Sequence, residues 1–126
     1  MDKEKRRHIV IVGGGFGGIS AARELRKSDA KVTLIDKSNH HLFQPLLYQV
    51  ATAALSPGDI AAPIRAIVGK YSNVSVLLGE VESVDPKSKC LNLVDERTIT
   101  YDELILAPGS GYNYFGNDSW EKHAPG

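Results

Sequence analysis

Residues 8–36, HIVIVGGGFGGISAARELRKSDAKVTLID, decide the fold. His8–Val12 is an apolar run that stops at a glycine cluster, and it reads as a buried strand. From Gly17 to Lys27 the pattern turns helical. Ile19, Ala22 and Leu25 recur along one face, while Arg23, Glu24, Arg26 and Lys27 face water. The cations of the last turn suit the negative end of the helix dipole. Lys31–Asp36 is β-branched and apolar, a second strand. Strand, glycine turn, helix and strand in about thirty residues make one βαβ unit, with its two strands parallel.

The turn itself, Gly13-Gly14-Gly15-Phe16-Gly17-Gly18, satisfies GxGxxG at Gly13, Gly15 and Gly18. Each of these three has a physical task. Gly13 permits the tight turn, Gly15 lets a diphosphate approach the backbone, and Gly18 lets the helix pack close to the strand. The helix N-terminus then offers N–H groups and a partial positive charge to the phosphates. Asp36 closes the second strand roughly 20 residues further on, where an acidic side chain can accept hydrogen bonds from ribose hydroxyls. Its charge would repel a 2′-phosphate, and Lys37 beside it softens that exclusion. An ordinary glycine turn with a surface Asp is the plain alternative. The entering strand, the leaving helix and the placement of the acid favour dinucleotide binding. The motif alone does not separate FAD from NAD, since both present a diphosphate and a ribose.

Further along, Leu42–Leu55 carries no charge, and Phe43, Leu46, Leu47, Val50, Ala51 and Ala54 fit helical spacing, so a helix is predicted after Pro45. A second helical piece is predicted over Ile60–Tyr71, with Pro63 near its start. Val74–Leu78 reads as a third strand. Residues 80–101 read as an antiparallel meander, with Val81–Val84, Cys90–Val94 and Thr98–Tyr101 separated by turn-like Asp85-Pro86-Lys87-Ser88 and Asp95-Glu96. Leu104–Leu106 is one more strand, ending in Ala107-Pro108-Gly109. Residues 1–7 read as a charged, solvated tail, 8–112 as the folded unit, and 113–126 as a linker.

Composition narrows the functional classes. The 126 residues hold 15 Lys plus Arg against 15 Asp plus Glu, and this balance argues against a nucleic-acid partner. With 42% hydrophobic and 24% charged residues the chain is of ordinary globular make-up. One cysteine, Cys90, excludes an internal disulfide or a CxxC redox pair in this stretch, and a reducing compartment is the simplest reading. Cys90 itself reads as a small apolar side chain. The longest window free of both charged residues and histidine, Leu42–Gly58, has 17 residues and two prolines, too short and too broken to cross a bilayer. No metal site is expected, because His40 and His41 are adjacent, diverge on any regular element, and lack a completing Cys or carboxylate cluster.

The order of an uncharged segment, a meander and a last strand ending YDELILAPGS at Tyr101–Ser110 resembles the flavoproteins with two dinucleotide-binding domains, the pyridine nucleotide-disulfide oxidoreductase-like superfamily. Their second fingerprint is an apolar strand followed by Ala-Thr-Gly. Here it is Ala107-Pro108-Gly109, which lacks the Thr hydroxyl. Within that superfamily the run HHLFQPLLYQVAT at His40–Thr52 is similar to the type II NADH dehydrogenases, the single-subunit NADH:quinone oxidoreductases. So is the tail, with Tyr114-Phe115-Gly116, Trp120-Glu121 and Ala124-Pro125-Gly126. Disulfide reductases and sulfide:quinone reductases are disfavoured, since both use cysteines that this stretch lacks.

The resemblance implies an α/β fold: a Rossmann-like FAD-binding βαβ sheet with an inserted antiparallel β-meander, incomplete in this chain. It implies FAD held by Gly13, Gly14, Gly15, Phe16, Gly17 and Gly18 at the diphosphate, and by Asp36 and Lys37 at the adenosine end. Val81 would meet the adenine through its backbone, Pro45 and Thr52 would lie near the flavin, and Ala107 and Gly109 would border the same site. No catalytic side chain is assigned. The chain is then the N-terminal part of a longer enzyme, inactive alone, with 113–126 leading toward an NADH-binding domain. The whole enzyme would take electrons from NADH to a quinone without pumping protons, as a cytoplasmic protein peripheral on the inner membrane's cytoplasmic face. Membrane contact would come through sequence outside this stretch, and a homodimer is compatible. The alternatives are a two-domain reductase acting on a ferredoxin or carrier protein, and a non-catalytic nucleotide-binding sensor module.

Overall fold

Four parallel strands carry the molecule. The computed structural model describes residues 6–126; most of the charged tail, residues 1–5, lies outside the described residues. β1 (His8–Val12), α1 (Phe16–Leu25) and β2 (Lys31–Asp36) form the expected βαβ unit, with His8 beside Lys31 and Val12 beside Ile35 in parallel register. β5 (Val74–Leu78) pairs with β2, and β9 (Glu103–Leu106) pairs with the other edge of β1, both parallel. The sheet order is therefore β5-β2-β1-β9.

Both faces of this sheet are covered, which is why β1 and β2 do not alternate between apolar and polar residues; the Thr33 hydroxyl, buried in β2, is hydrogen-bonded to His8 and Ser75. Ile9, Ile11, Val32 and Leu34 pack on one side with Ile19 and Ala22 of α1 and with Ile64 and Val68 of α3 (Ile64–Val68). Val10 and Ile35 point the opposite way and meet Leu91 and Leu93, both fully buried. Those leucines belong to β7 (Cys90–Leu93), the middle strand of a meander with β6 (Val81–Asp85) and β8 (Thr98–Thr100). The result is three layers: helices, parallel sheet, antiparallel meander.

The segment between β2 and β5 departs from expectation. The helix expected after Pro45 forms, but over five residues only. His40–Leu42 forms a short strand, β3, followed by a 3-10 turn at Gln44–Leu46 and a five-residue helix, α2 (Leu47–Ala51). Pro45 lacks the N–H that would continue a helix from further upstream. Ala53 ends α2 with a positive φ of 60°, and the N–H groups of Ala54 and Leu55 return to the Gln49 carbonyl. The predicted helix over Ile60–Tyr71 is likewise shortened. Ala61–Pro63 is strand β4, antiparallel to β3, and α3 begins only at Ile64. Ala62 precedes proline, which biases it toward extended backbone. Within 113–126, Asp118–Lys122 forms a 3-10 helix. Arg6 and Arg7 are exposed and make surface ion pairs to Asp29 (3.2 Å) and Glu103 (2.8 Å), a class of contact that contributes little to stability.

Candidate functional site

In open α/β sheets, ligands bind at the carboxyl ends of the strands, where consecutive connections leave in opposite directions. Here that point lies between β1 and β9, because β2 flanks β1 on one side and β9 on the other. The glycine turn after β1 and Ala107-Pro108-Gly109 after β9 meet there. The Gly13 N–H donates to the Ile35 carbonyl (2.8 Å), and the Ala107 N–H to the Val12 carbonyl (2.8 Å).

Two of the three motif glycines, Gly13 and Gly18, are required by the fold itself. Gly13 has φ +103°, and a Cβ there would overlap the Ala107 carbonyl. A Cβ on Gly18 would overlap the Gly13 carbonyl, so this glycine sets how closely α1 approaches β1. Gly15 differs: a Cβ there would meet nothing within 4 Å, and its φ is an ordinary −77°. Nothing in the fold demands glycine at position 15; only an incoming group would. Gly15 is also the N-cap of α1, with no side-chain cap bond and no acidic residue in the first turn.

Two side chains grip the turn. Asp36 Oδ2 accepts from the Gly14 N–H (2.6 Å), and its Oδ1 accepts from the Ser38 N–H (2.6 Å). The His41 Nδ1–H donates to the Gly14 carbonyl (2.9 Å). The His41 ring stands edge-on to Phe16 at 4.9 Å, and Phe43 packs against Phe16 at 5.5 Å.

Two hollows share Gly13, Asp36 and Pro108 and together form one elongated cleft. The larger, about 500 Å³, is bordered by Gly13, Gly14, Gly15, Phe16 and Gly17 on one side and by Ala107 and Gly109 on the other. The smaller, about 200 Å³, adds Lys37 and Val81. The structure thus brings ten of the nominated residues, Asp36 included, to one cleft. Gly18 is buried beneath it. Pro45 and Thr52 line neither hollow; Thr52 Oγ1 donates to the Tyr48 carbonyl (3.0 Å) and closes α2. Sequence reasoning missed His40 and Leu42, which β3 carries to the rim, Gln44 in the 3-10 turn after it, and Gly79 and Glu80 beside Val81. Strands of three residues leave no readable period, so the ribbon had no signal.

Around the smaller hollow, the Gly79–Val81 corner is held from several directions. The Gly79 N–H donates to the Asp36 carbonyl (2.9 Å) and the Val94 N–H to the Glu80 carbonyl (2.9 Å). Arg97 Nη2 donates to the Leu78 carbonyl (2.8 Å). Arg97 Nε itself donates to both Asp95 carboxylate oxygens (2.9 and 2.8 Å), and this hydrogen bonding holds the Asp95 carboxyl below its usual range. A further hollow between Arg7, Asp29 and Glu103 lies at the amino ends of the strands, away from the glycine turn. Among the described residues no group of three or more His, Cys, Asp or Glu could hold a metal ion, and no helix is long and apolar enough to cross a membrane.

A parallel sheet of order β5-β2-β1-β9 with a glycine-rich βα turn at its switch point defines a Rossmann-type α/β domain. The chain belongs to the pyridine nucleotide-disulphide oxidoreductase family, whose model matches residues 7–124. It is 52% identical to the type II NADH:quinone oxidoreductase NdhA of Mycobacterium tuberculosis over 124 residues, 96% of this chain and 26% of that protein. It is 48% identical to the type II NADH:quinone oxidoreductase Ndh of the same organism over 125 residues, 97% of this chain and 27% of that one. The solved structure of NDH2 from Plasmodium falciparum in complex with NADH superposes with a TM-score of 0.83 at 27% identity, covering 94% of this chain and 25% of that one. The chain therefore spans about a quarter of the length of the curated relatives it matches.

Proposed function

We propose that this chain forms the nucleotide-holding part of the FAD domain of a type II NADH:quinone oxidoreductase. The observation that carries the reading is Gly15: a glycine with room for a side chain, at an uncapped helix N-terminus, in a cleft at the switch point. Glycine there is explained by a diphosphate that must reach the backbone. The names of the relatives supply the reaction class, and the elongated cleft supports a two-part ligand. In this reading Gly13–Gly17 face the diphosphate. Asp36 and Lys37 meet the adenosine ribose, with two lone-pair directions of the Asp36 carboxylate left after its backbone bonds. The Val81 backbone meets the adenine. Ala107 and Gly109 border the flavin-side half, and Pro45 and Thr52 approach the flavin from the exposed 42–55 segment.

When bound, the flavin supplies the redox chemistry, taking a hydride from NADH and passing electrons to a quinone. The protein's share is to bind and orient the cofactor. The NADH domain and the membrane-contacting surface are assigned to sequence beyond these residues, and the enzyme to the cytoplasmic face of the inner membrane, where it could dimerise. The test uses the full-length protein. It is purified and examined for bound FAD, then assayed for NADH oxidation with a soluble quinone, with a ferredoxin and with no acceptor. Retained FAD with quinone-dependent turnover is expected. Absence of flavin, or turnover with ferredoxin alone, refutes the reading.

A further inference from the structure

Gly14 is held at both of its backbone polar groups, through its N–H by Asp36 and through its carbonyl by His41. A carbonyl oxygen only accepts, so His41 Nδ1 must carry the proton. The peptide unit is planar and trans, which makes the Gly14 C=O and the Gly15 N–H point in opposite directions. His41 stands outside the cleft lining and Gly15 within it. With the Gly14 oxygen turned to His41, the Gly15 N–H points away from His41.

That orientation is not guaranteed by the backbone alone. The peptide joins two glycines, and with no Cβ on either side its rotation is uncommonly cheap. A flipped peptide would aim a partially negative carbonyl oxygen into the place reserved for an anion. We propose that His41 is a positioning residue that latches the Gly14–Gly15 peptide so that its N–H, and not its oxygen, meets the diphosphate. This rests on the FAD reading above.

The latch is itself braced. His41 and Phe43 lie two residues apart, and both rings pack on Phe16, the first residue of α1. Pairing of His41 with Ala62 in the β3–β4 ribbon fixes the strand that carries the imidazole. The ribbon's place in the fold is thereby accounted for: it brings a donor against a carbonyl 27 residues earlier in the chain.

The test compares two substitutions in the full-length protein. His41→Phe keeps a ring against Phe16 and removes the donor. His41→Asn keeps an N–H near the Nδ1 position. FAD affinity is read by flavin fluorescence on titration of the apoprotein, and the environment of the diphosphate by the 31P resonances of bound FAD. Thermal midpoints of the apoproteins report folding. His41→Phe should bind FAD about ten- to a hundredfold more weakly with shifted 31P resonances, and His41→Asn should stay within about threefold of the original. If His41→Phe does not fold, His41→Leu takes its place; failure of both to fold makes His41 a purely structural residue and overturns the proposal. It is also overturned if His41→Phe binds FAD as the unmodified protein does, or if His41→Asn is as weak as His41→Phe. An unmodified protein that takes up no FAD overturns the nucleotide reading, and the latch with it.

Discussion

Gly15→Val separates what the glycine turn does for the fold from what it does for a ligand. A Cβ at this position has open space, and a φ of −77° with ψ −163° is extended backbone that valine adopts readily. Glycine gives no side-chain cap to lose, so the exchange at the N-cap costs about 1 kcal/mol or less, a few degrees in thermal midpoint. The effect on binding is of another order. Three added carbons fill the space through which the backbone would be approached, and hydrogen bonds from backbone N–H groups to a charged partner contribute roughly 1.5–3 kcal/mol each. Losing two of them gives about 3–6 kcal/mol, or roughly 10²- to 10⁴-fold in the dissociation constant for FAD. Gly18→Ala provides the contrast. It adds a single carbon, but that carbon overlaps the Gly13 carbonyl, so α1 must move off β1 at a cost of about 1–3 kcal/mol or more. The assay is FAD titration by fluorescence, with thermal melts of the apoproteins, on the full-length protein and both variants. The reasoning is refuted if Gly15→Val binds FAD within about threefold of the original, or if it lowers the apoprotein midpoint more than Gly18→Ala does.

Asp36→Asn should cost about 1–2 kcal/mol of apoprotein stability and weaken FAD, because the amide that replaces one oxygen must face the Gly14 or the Ser38 N–H, donor against donor; chemical denaturation and FAD titration check it. Leu93→Ala should destabilise by about 2–5 kcal/mol, since Leu93 is buried between the meander and the sheet; denaturation midpoints measure this. His8 supplies a pH dependence. Burial lowers its pKa below the ordinary 6.5, and Lys31 adds to the effect against smaller opposing contributions from the Thr100 backbone and Asp102. A depressed pKa means the folded state favours the neutral ring. The stabilisation is therefore present above about pH 6.5 and is lost as pH falls through the folded-state value. Thermal midpoints should decline on acidification below pH 6.5, and His8→Gln should flatten that decline; a decline unchanged in the variant refutes the assignment.

The parts of this fold legible in the sequence are those whose physical cost is settled locally. Gly13 and Gly18 are required by a positive φ and by a carbonyl within the same turn, so the motif declares itself without knowledge of anything distant. The largely apolar runs of β1 and β2 state equally directly that both faces are covered, though not by what. The region from His40 to Pro63 departs in part from its sequence pattern, for a definite reason. Its apolar residues do fall at helical spacing, yet α2 has no buried residue, with Leu47 44% and Tyr48 63% exposed, so the periodicity there does not mark packing against this unit's core. Backbone constraints decided instead: the positive φ of Ala53 ends the helix after Pro45 at five residues, extended Ala61–Pro63 delays the next helix to Ile64, and His40–Leu42 pairs with Ala61–Pro63 as a ribbon. The same limit hid His41. Taken alone it is one of two adjacent histidines without a ligand set, and its partner is a main-chain oxygen that no side-chain pattern encodes. In the FAD reading the motif marks where the diphosphate is met, while the side chain proposed to keep the Gly14–Gly15 peptide turned is found only once the chain has folded back on it.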